Sequence, residues 1–184
     1  MPRLKYSTYL GIDAGKNGGL AAIVDGLPEA VHMPVTERDV WDWFDQWNPE
    51  HGPLVAVIEK VWGHVGRNQP GSAMFNFGAN YGGLRMALIA ADIPFEDATP
   101  QRWQKAMGIP ERKPHTKTRR VLIKKGKNKG KQRDEKYGGE TDTQWKNRLK
   151  AKAQQLFPKL HVTLATADAL LIALYTCRKA RGLL

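Results

Sequence analysis

The chain has 184 residues, 41% of them hydrophobic, a net charge of +11 and a single cysteine. That length suits one domain with a sizeable core, and one cysteine excludes a disulfide framework and a cysteine-based zinc site. The positive excess is local, because Glu111 to Leu160 holds 17 Lys and Arg against 5 Asp and Glu, and the rest of the chain 12 against 13.

Met1-Pro2-Arg3-Leu4-Lys5 leads into a strand-like run and does not read as a signal peptide. Tyr6 to Ile12 predicts a strand, and Gly15, Gly18 and Gly19 a turn. Leu20 to Val24 predicts a second strand and Asp25-Gly26 a tight hairpin turn. Ala30 to Met33 predicts a third. Thr36, with Glu37 and Asp39 behind it, predicts a helix start, and Val40, Trp41, Trp43 or Phe44, and Trp47 lie along that helix. The continuous apolar run Leu54 to Ile58 predicts a buried strand. Ser72 to Ala91 predicts a long helix interrupted by Gly78, Gly82 and Gly83. Pro94 to Ala98 predicts a short strand, and Pro100 starts a helix that ends near Gly108-Ile109-Pro110. A basic insertion fills about residues 112–142. Asp142 or Thr143 starts a helix through Trp145, Leu149, Ala153 and Leu156, stopped at Pro158. The last helix is expected from about Thr166 to Arg181. No apolar run is long enough to span a bilayer, so we expect a soluble, cytoplasmic protein with no membrane partner. The element order predicts an α/β fold. Three antiparallel strands followed by right-handed crossovers give a mixed five-stranded sheet flanked by helices, with the insertion before the C-terminal helices. This is the ribonuclease-H-like arrangement, expected here as a single domain over residues 1–184.

Three lone acids end or open apolar runs. Asp13 closes Tyr9-Leu10-Gly11-Ile12, Glu59 closes Leu54 to Ile58, and Asp168 heads Ala169-Leu170-Leu171-Ile172-Ala173. A carboxylate at the end of a buried strand is costly to desolvate unless it is paired or binds metal. In the predicted sheet the first and fourth strands are neighbours, so Asp13 and Glu59 would face each other, with Asp168 brought to the same end. Taken singly, Asp13 could cap a turn and Asp168 could be a helix N-terminal acid favoured by the dipole. Together they point to a shared cation site. The insertion run Lys124-Lys125-Gly126-Lys127-Asn128-Lys129-Gly130-Lys131 is at its plainest a solvated loop. Its density favours a phosphate backbone as partner, and no amphipathic apolar face accompanies it to suggest a membrane.

Several segments carry a family resemblance. They are Gly11-Ile12-Asp13-Ala14-Gly15, Val57-Ile58-Glu59-Lys60-Val61, Ser72 through Gly83, Thr99-Pro100-Gln101-Arg102-Trp103-Gln104-Lys105, Leu156-Phe157-Pro158 and Ala167 through Ala173. In this order the chain resembles the RuvC-type Holliday-junction resolvases, especially their short phage-encoded branch, in which case it would work in the host cytoplasm. The insertion is the part least matched. The resemblance implies a crossover junction endodeoxyribonuclease acting on branched DNA as a homodimer. It implies Asp13, Glu59 and Asp168 as catalytic ligands of two Mg²⁺ ions, with Mn²⁺ able to substitute. Trp62, three residues after Glu59, would stack on a base at the opened junction centre, although a core Trp at a strand end is the plain alternative. Arg67 follows in a glycine-rich segment. Arg102 and Lys105 beside Trp103 lie on the face where phosphate would pass, with a solvated helix face as the equal alternative, and the charge density of Lys124, Lys125, Lys127, Lys129 and Lys131 in the insertion suits them to contact DNA. One helical turn before Asp168 the pattern has a fourth ligand, an acid or His. Here that position is Ala165, with His161 and Asp97 as weak substitutes. The alternative is therefore a catalytically weak or inactive nucleic-acid-binding protein of the same fold.

Overall fold

The structure is a computed structural model that describes residues 7–47, 52–61, 71–126 and 128–184. Its main sheet has five strands in the order β3-β2-β1-β4-β5. These are β1 (Thr8–Asp13), β2 (Gly19–Val24), β3 (Leu27–His32), β4 (Leu54–Glu59) and β5 (Phe95–Ala98). β1, β2 and β3 pair antiparallel, and β4 joins β1 in parallel, as does β5 with β4. The β2–β3 hairpin turns through Asp25 and Gly26, whose φ angles of 50° and 87° suit the primed turn that matches strand twist. β3 starts earlier than Ala30, at Leu27, and includes Pro28. An edge strand tolerates proline because one row of its amides has no partner to lose.

α1 (Glu37–Asp45) begins at Thr36, whose hydroxyl accepts the Asp39 amide. α2 (Gly71–Ala90) crosses between β4 and β5, and α3 (Pro100–Ala106) follows β5. α4 (Asp142–Leu156) carries a full capping box from Thr141 and Gln144. α5 (Ala167–Ala180) closes the fold. Two apolar layers result, one on each face of the sheet. Leu10, Ile12, Leu20 and Ile58 meet Phe44, Leu84 and Leu88 on the α1–α2 side. Tyr9, Ala21 and Val57 meet Trp103, Leu149 and the α5 residues Leu170, Leu171 and Ile172 on the other.

The basic insertion is not a loop. Its strands β6 (Lys117–Leu122) and β7 (Gln132–Tyr137) form a separate two-stranded antiparallel sheet. Among the described residues, no helix is long and apolar enough to cross a membrane.

Candidate functional site

Asp13 and Glu59 meet because β1 and β4 run in parallel register. Ile12 lies beside Ile58, so the next residue on each strand leaves the same end of the sheet. Asp168 reaches that end because α5 lies directly on β1. A Cβ at Gly11 would stand 2.1 Å from the Ala173 nitrogen and 2.2 Å from the Ala169 oxygen. Thr176 holds the contact from above, its hydroxyl donating 3.0 Å to the Leu10 carbonyl. Gly18 makes room for the carboxylate itself, since a Cβ there would be 2.6 Å from Asp13 Cγ. The Gly15 amide donates 3.3 Å to Asp13 Oδ1, and Asn80 of α2 donates 2.5 Å to the Ala14 carbonyl behind it.

All three carboxylates are half-buried, and all three hold their protons more tightly than usual. Burial raises Asp13, against the Gly15 amide and the Lys146 charge. Burial and then the Asp13 charge push Glu59 up to about 8, with a smaller push from Asp168, while the Trp103 indole opposes the rise. That indole donates 2.8 Å to Glu59 Oε2. Burial and then Asp13 raise Asp168 to about 7, with Lys146 opposing. The Asp13 charge is thus felt by both other acids. Among the described residues, however, no three His, Cys, Asp or Glu side chains close around a single point. The cluster is open. Its donors are hard oxygens without imidazole or thiolate, short of compensating positive charge. That chemistry fits Mg²⁺, which keeps several waters and needs few protein ligands.

This electrostatic state predicts a pH dependence. In the unfolded chain these carboxyls lose their protons near pH 4. In the fold they keep them to about 8 and about 7. The stabilisation is therefore complete below the unfolded values and is lost as pH rises through the folded ones. Melting curves in a chelator at pH 5.5, 7 and 8.5 should show a falling Tm, with a shallower fall in Glu59→Gln. A flat profile in the parent protein would contradict the burial of these charges.

The remaining expected residues divide. Arg102 and Lys105 are exposed on α3 while Trp103, between them, is fully buried. Lys124, Lys125, Lys129 and Lys131 are exposed around the β6–β7 turn. Trp62, Arg67 and Lys127 lie outside the described residues. His161 is exposed between α4 and α5. Asp97 is engaged elsewhere: Arg85 Nη1 donates to both its oxygens at 2.6 and 2.7 Å, and Tyr81 donates to it too. Burial opposes its charge, but these donors outweigh burial and lower its pKa. Ala165 precedes α5 and offers a backbone carbonyl near Gly19. Two neighbours of the site were not foreseen as such, the Glu59-bound indole of Trp103 and Lys146 of α4. Their roles depend on how α3 and α4 dock, which leaves no local sequence signal. A groove of about 1030 Å³ also opens on the α2 side, lined by Lys16, Asn17, His32, Phe77 and Asn80.

No protein-family model matches the sequence, and no curated protein matches it. Solved structures do. A RuvC structure from Thermus thermophilus is 15% identical, with 95% of this chain and 96% of that chain covered and a TM-score of 0.55. T. thermophilus RuvC in complex with Holliday junction substrate is 14% identical, with 95% of each chain covered and a TM-score of 0.56. With 95% of the chain matched, its five-stranded mixed sheet and flanking helices give it a RuvC-like, ribonuclease-H-like fold.

Proposed function

We propose that the protein is a metal-dependent, structure-selective DNA endonuclease that resolves four-way junctions as a homodimer. The observation that carries this reading is the convergence of the Asp13, Glu59 and Asp168 carboxylates, from β1, β4 and α5, at one end of a RuvC-like sheet. That one such neighbour is in complex with a Holliday junction substrate supports the choice of DNA. Asp13, Glu59 and Asp168 would hold the metal. Bound Mg²⁺ supplies an activated water and charge relief on the leaving oxygen of a phosphodiester. The chain's own part is positioning. Gly18 and the Gly15 amide fix Asp13, the Trp103 indole fixes Glu59, and the α5 contact at Gly11 fixes Asp168. Arg102 and Lys105 are exposed cations suited to the phosphate backbone. Trp62 is proposed to stack at the junction centre, where a base–aromatic contact is worth about 1–3 kcal/mol.

A four-way junction has two-fold symmetry, which a C2 dimer matches. α2 supports the dimer. Phe75, Met86 and Ile89 are 75%, 61% and 58% exposed at helical spacing, and a Cβ added at Gly78, Gly82 or Gly83 would meet no other part of the described residues within 4 Å. Small residues between large apolar ones let a second helix approach closely. Ala165, where a fourth ligand would stand, favours a second reading, a DNA-binding protein without turnover. Incubation with Mg²⁺ and a synthetic four-way junction, a flap or plain duplex decides between them. The expected result is paired nicks near the junction centre and little cutting of duplex. Junction binding without nicks would select the second reading.

A further inference from the structure

Among the described residues, the β6–β7 ribbon stands apart from both apolar layers, with little protein cover on either face. Every residue of β6 except Val121 is exposed, and Leu122 is 58% exposed. A lone two-stranded ribbon is marginal in water, so this one needs anchoring at its base. Two arginines supply that. Arg112 donates to the Glu140 carbonyl at 2.9 Å and to Asp142 Oδ1 at 2.5 Å. Arg148 of α4 donates to Glu140 Oε2 at 2.9 Å and to the Pro110 carbonyl at 3.1 Å. These contacts tie the two legs of the ribbon together and to α4, which gives the ribbon a fixed direction.

Charge is distributed along the ribbon in a way that folding alone does not require. From Lys117 to Tyr137 there are ten basic residues and two acidic ones. Both acids are used below the tip. Glu135 lies 2.7 Å from Arg119 and Asp134 lies 3.5 Å from Arg120. Beyond them, Lys124, Lys125, Lys129 and Lys131 have no carboxylate partner among the described residues. Gly126 and Gly130, with φ of 86° and 84°, bend the chain between these lysines. The outer end is thus a concentrated positive charge on an anchored stalk.

The two legs of the stalk connect to the helices that flank the carboxylate cluster. One leg leaves α3, whose Trp103 holds Glu59, and the other enters α4, whose Lys146 is felt by Asp13 and Asp168. Six paired residues reach about 20 Å at ~3.3 Å per residue, or about six base pairs at ~3.4 Å each. A two-stranded β-ribbon also has the width that a DNA major groove admits.

We propose that the β6–β7 ribbon is a second DNA-contact element, which lies along a duplex arm and holds its phosphates about half a helical turn from the carboxylate site. This rests on reading that site as one that takes DNA, and it adds where on the DNA the chain holds. The ribbon makes the arm, as well as the junction centre, part of the recognised structure.

The test is hydroxyl-radical footprinting of a four-way junction with long arms, run without divalent metal so that no strand is cut. Salt titration of affinity accompanies it. The variant is Lys124→Gln, Lys125→Gln, Lys129→Gln and Lys131→Gln together. Its melting curve should be unchanged, because these side chains support no internal contact. The expected result is loss of protection about five to seven base pairs along an arm, with protection at the junction centre retained. The slope of log affinity against log salt should flatten by roughly 3 to 4. An unchanged slope and footprint would overturn the proposal. So would an unchanged footprint with a loss of oligomer mass in sedimentation, which would make the ribbon an edge for pairing between copies. Failure of the nuclease reading looks different: the parent protein would show the arm footprint yet cut no substrate when Mg²⁺ is added.

Discussion

Asp13→Asn is expected to abolish Mg²⁺-dependent cleavage of a four-way junction and to leave junction binding intact or tighter. The substitution keeps the shape of the side chain and the oxygen that accepts the Gly15 amide at 3.3 Å. It removes the charge that a metal would need and that a nearby phosphate would resist. A loss of roughly a hundred- to a thousandfold or more follows from removing one charge-stabilising group. The fold should not suffer. Burial already raises the Asp13 pKa, and its charge also raises Glu59 and Asp168. A neutral Asn relieves all three, so the variant should melt at or above the parent temperature at pH 8. Nicking assays, gel shifts in chelator and a melting curve separate chemistry from folding. Normal cleavage would remove Asp13 from the site.

Gly11→Ala is expected to be the most damaging Gly→Ala change among the described glycines. The added carbon would lie 2.1 Å from the Ala173 nitrogen and 2.2 Å from the Ala169 oxygen. Both are backbone atoms of α5, so no side-chain rotation can relieve the clash. The helix must lift from β1, which strains its packing over Leu170, Leu171 and Ile172. Overpacking of this kind costs about 1–3 kcal/mol and sometimes more. In a chain of this size that corresponds to a fall in Tm of about 2–12 °C. The folded fraction should also cleave poorly, because Asp168 rides on the displaced helix. A parent-like Tm would mean that α5 does not pack at Gly11.

The strands and helices around the carboxylates were legible because their signals are local and redundant. Leu54 to Ile58 is apolar at every position, which only a strand covered on both faces tolerates. Thr36, read as a helix start, sits one residue before α1 and accepts an amide there, and Thr99 and Thr141 cap α3 and α4 in the same way, beside the expected starts at Pro100 and Asp142. The meeting of Asp13 and Glu59 followed from topology alone. The ribbon was not legible, because neither of its faces is buried. With no core to face, Lys117–Leu122 and Gln132–Tyr137 carry none of the alternation that marks a strand. Trp103 was expected beside phosphate-facing cations, but it is fully buried with its indole on Glu59. The sequence holds the residue but not the tilt of α3 that turns it inward. Lys146 was missed for the same reason.

The contact at Gly11 also bears on when the chain can become reactive. Asp13, Glu59 and Asp168 come from the first strand, the fourth strand and the last helix, so no local segment holds more than one of them. Contacts of such sequence separation form late in folding, after the entropy of closing long loops has been met. A nascent chain, a misfolded copy or a proteolytic fragment ending before Ala167 therefore carries the basic ribbon without an assembled carboxylate set. On the proposed nuclease reading, such a species could adhere to DNA but would have no means of breaking it. Reactivity would then be tied to complete folding, which would protect the genome of the cell that makes the protein from its own unfinished copies.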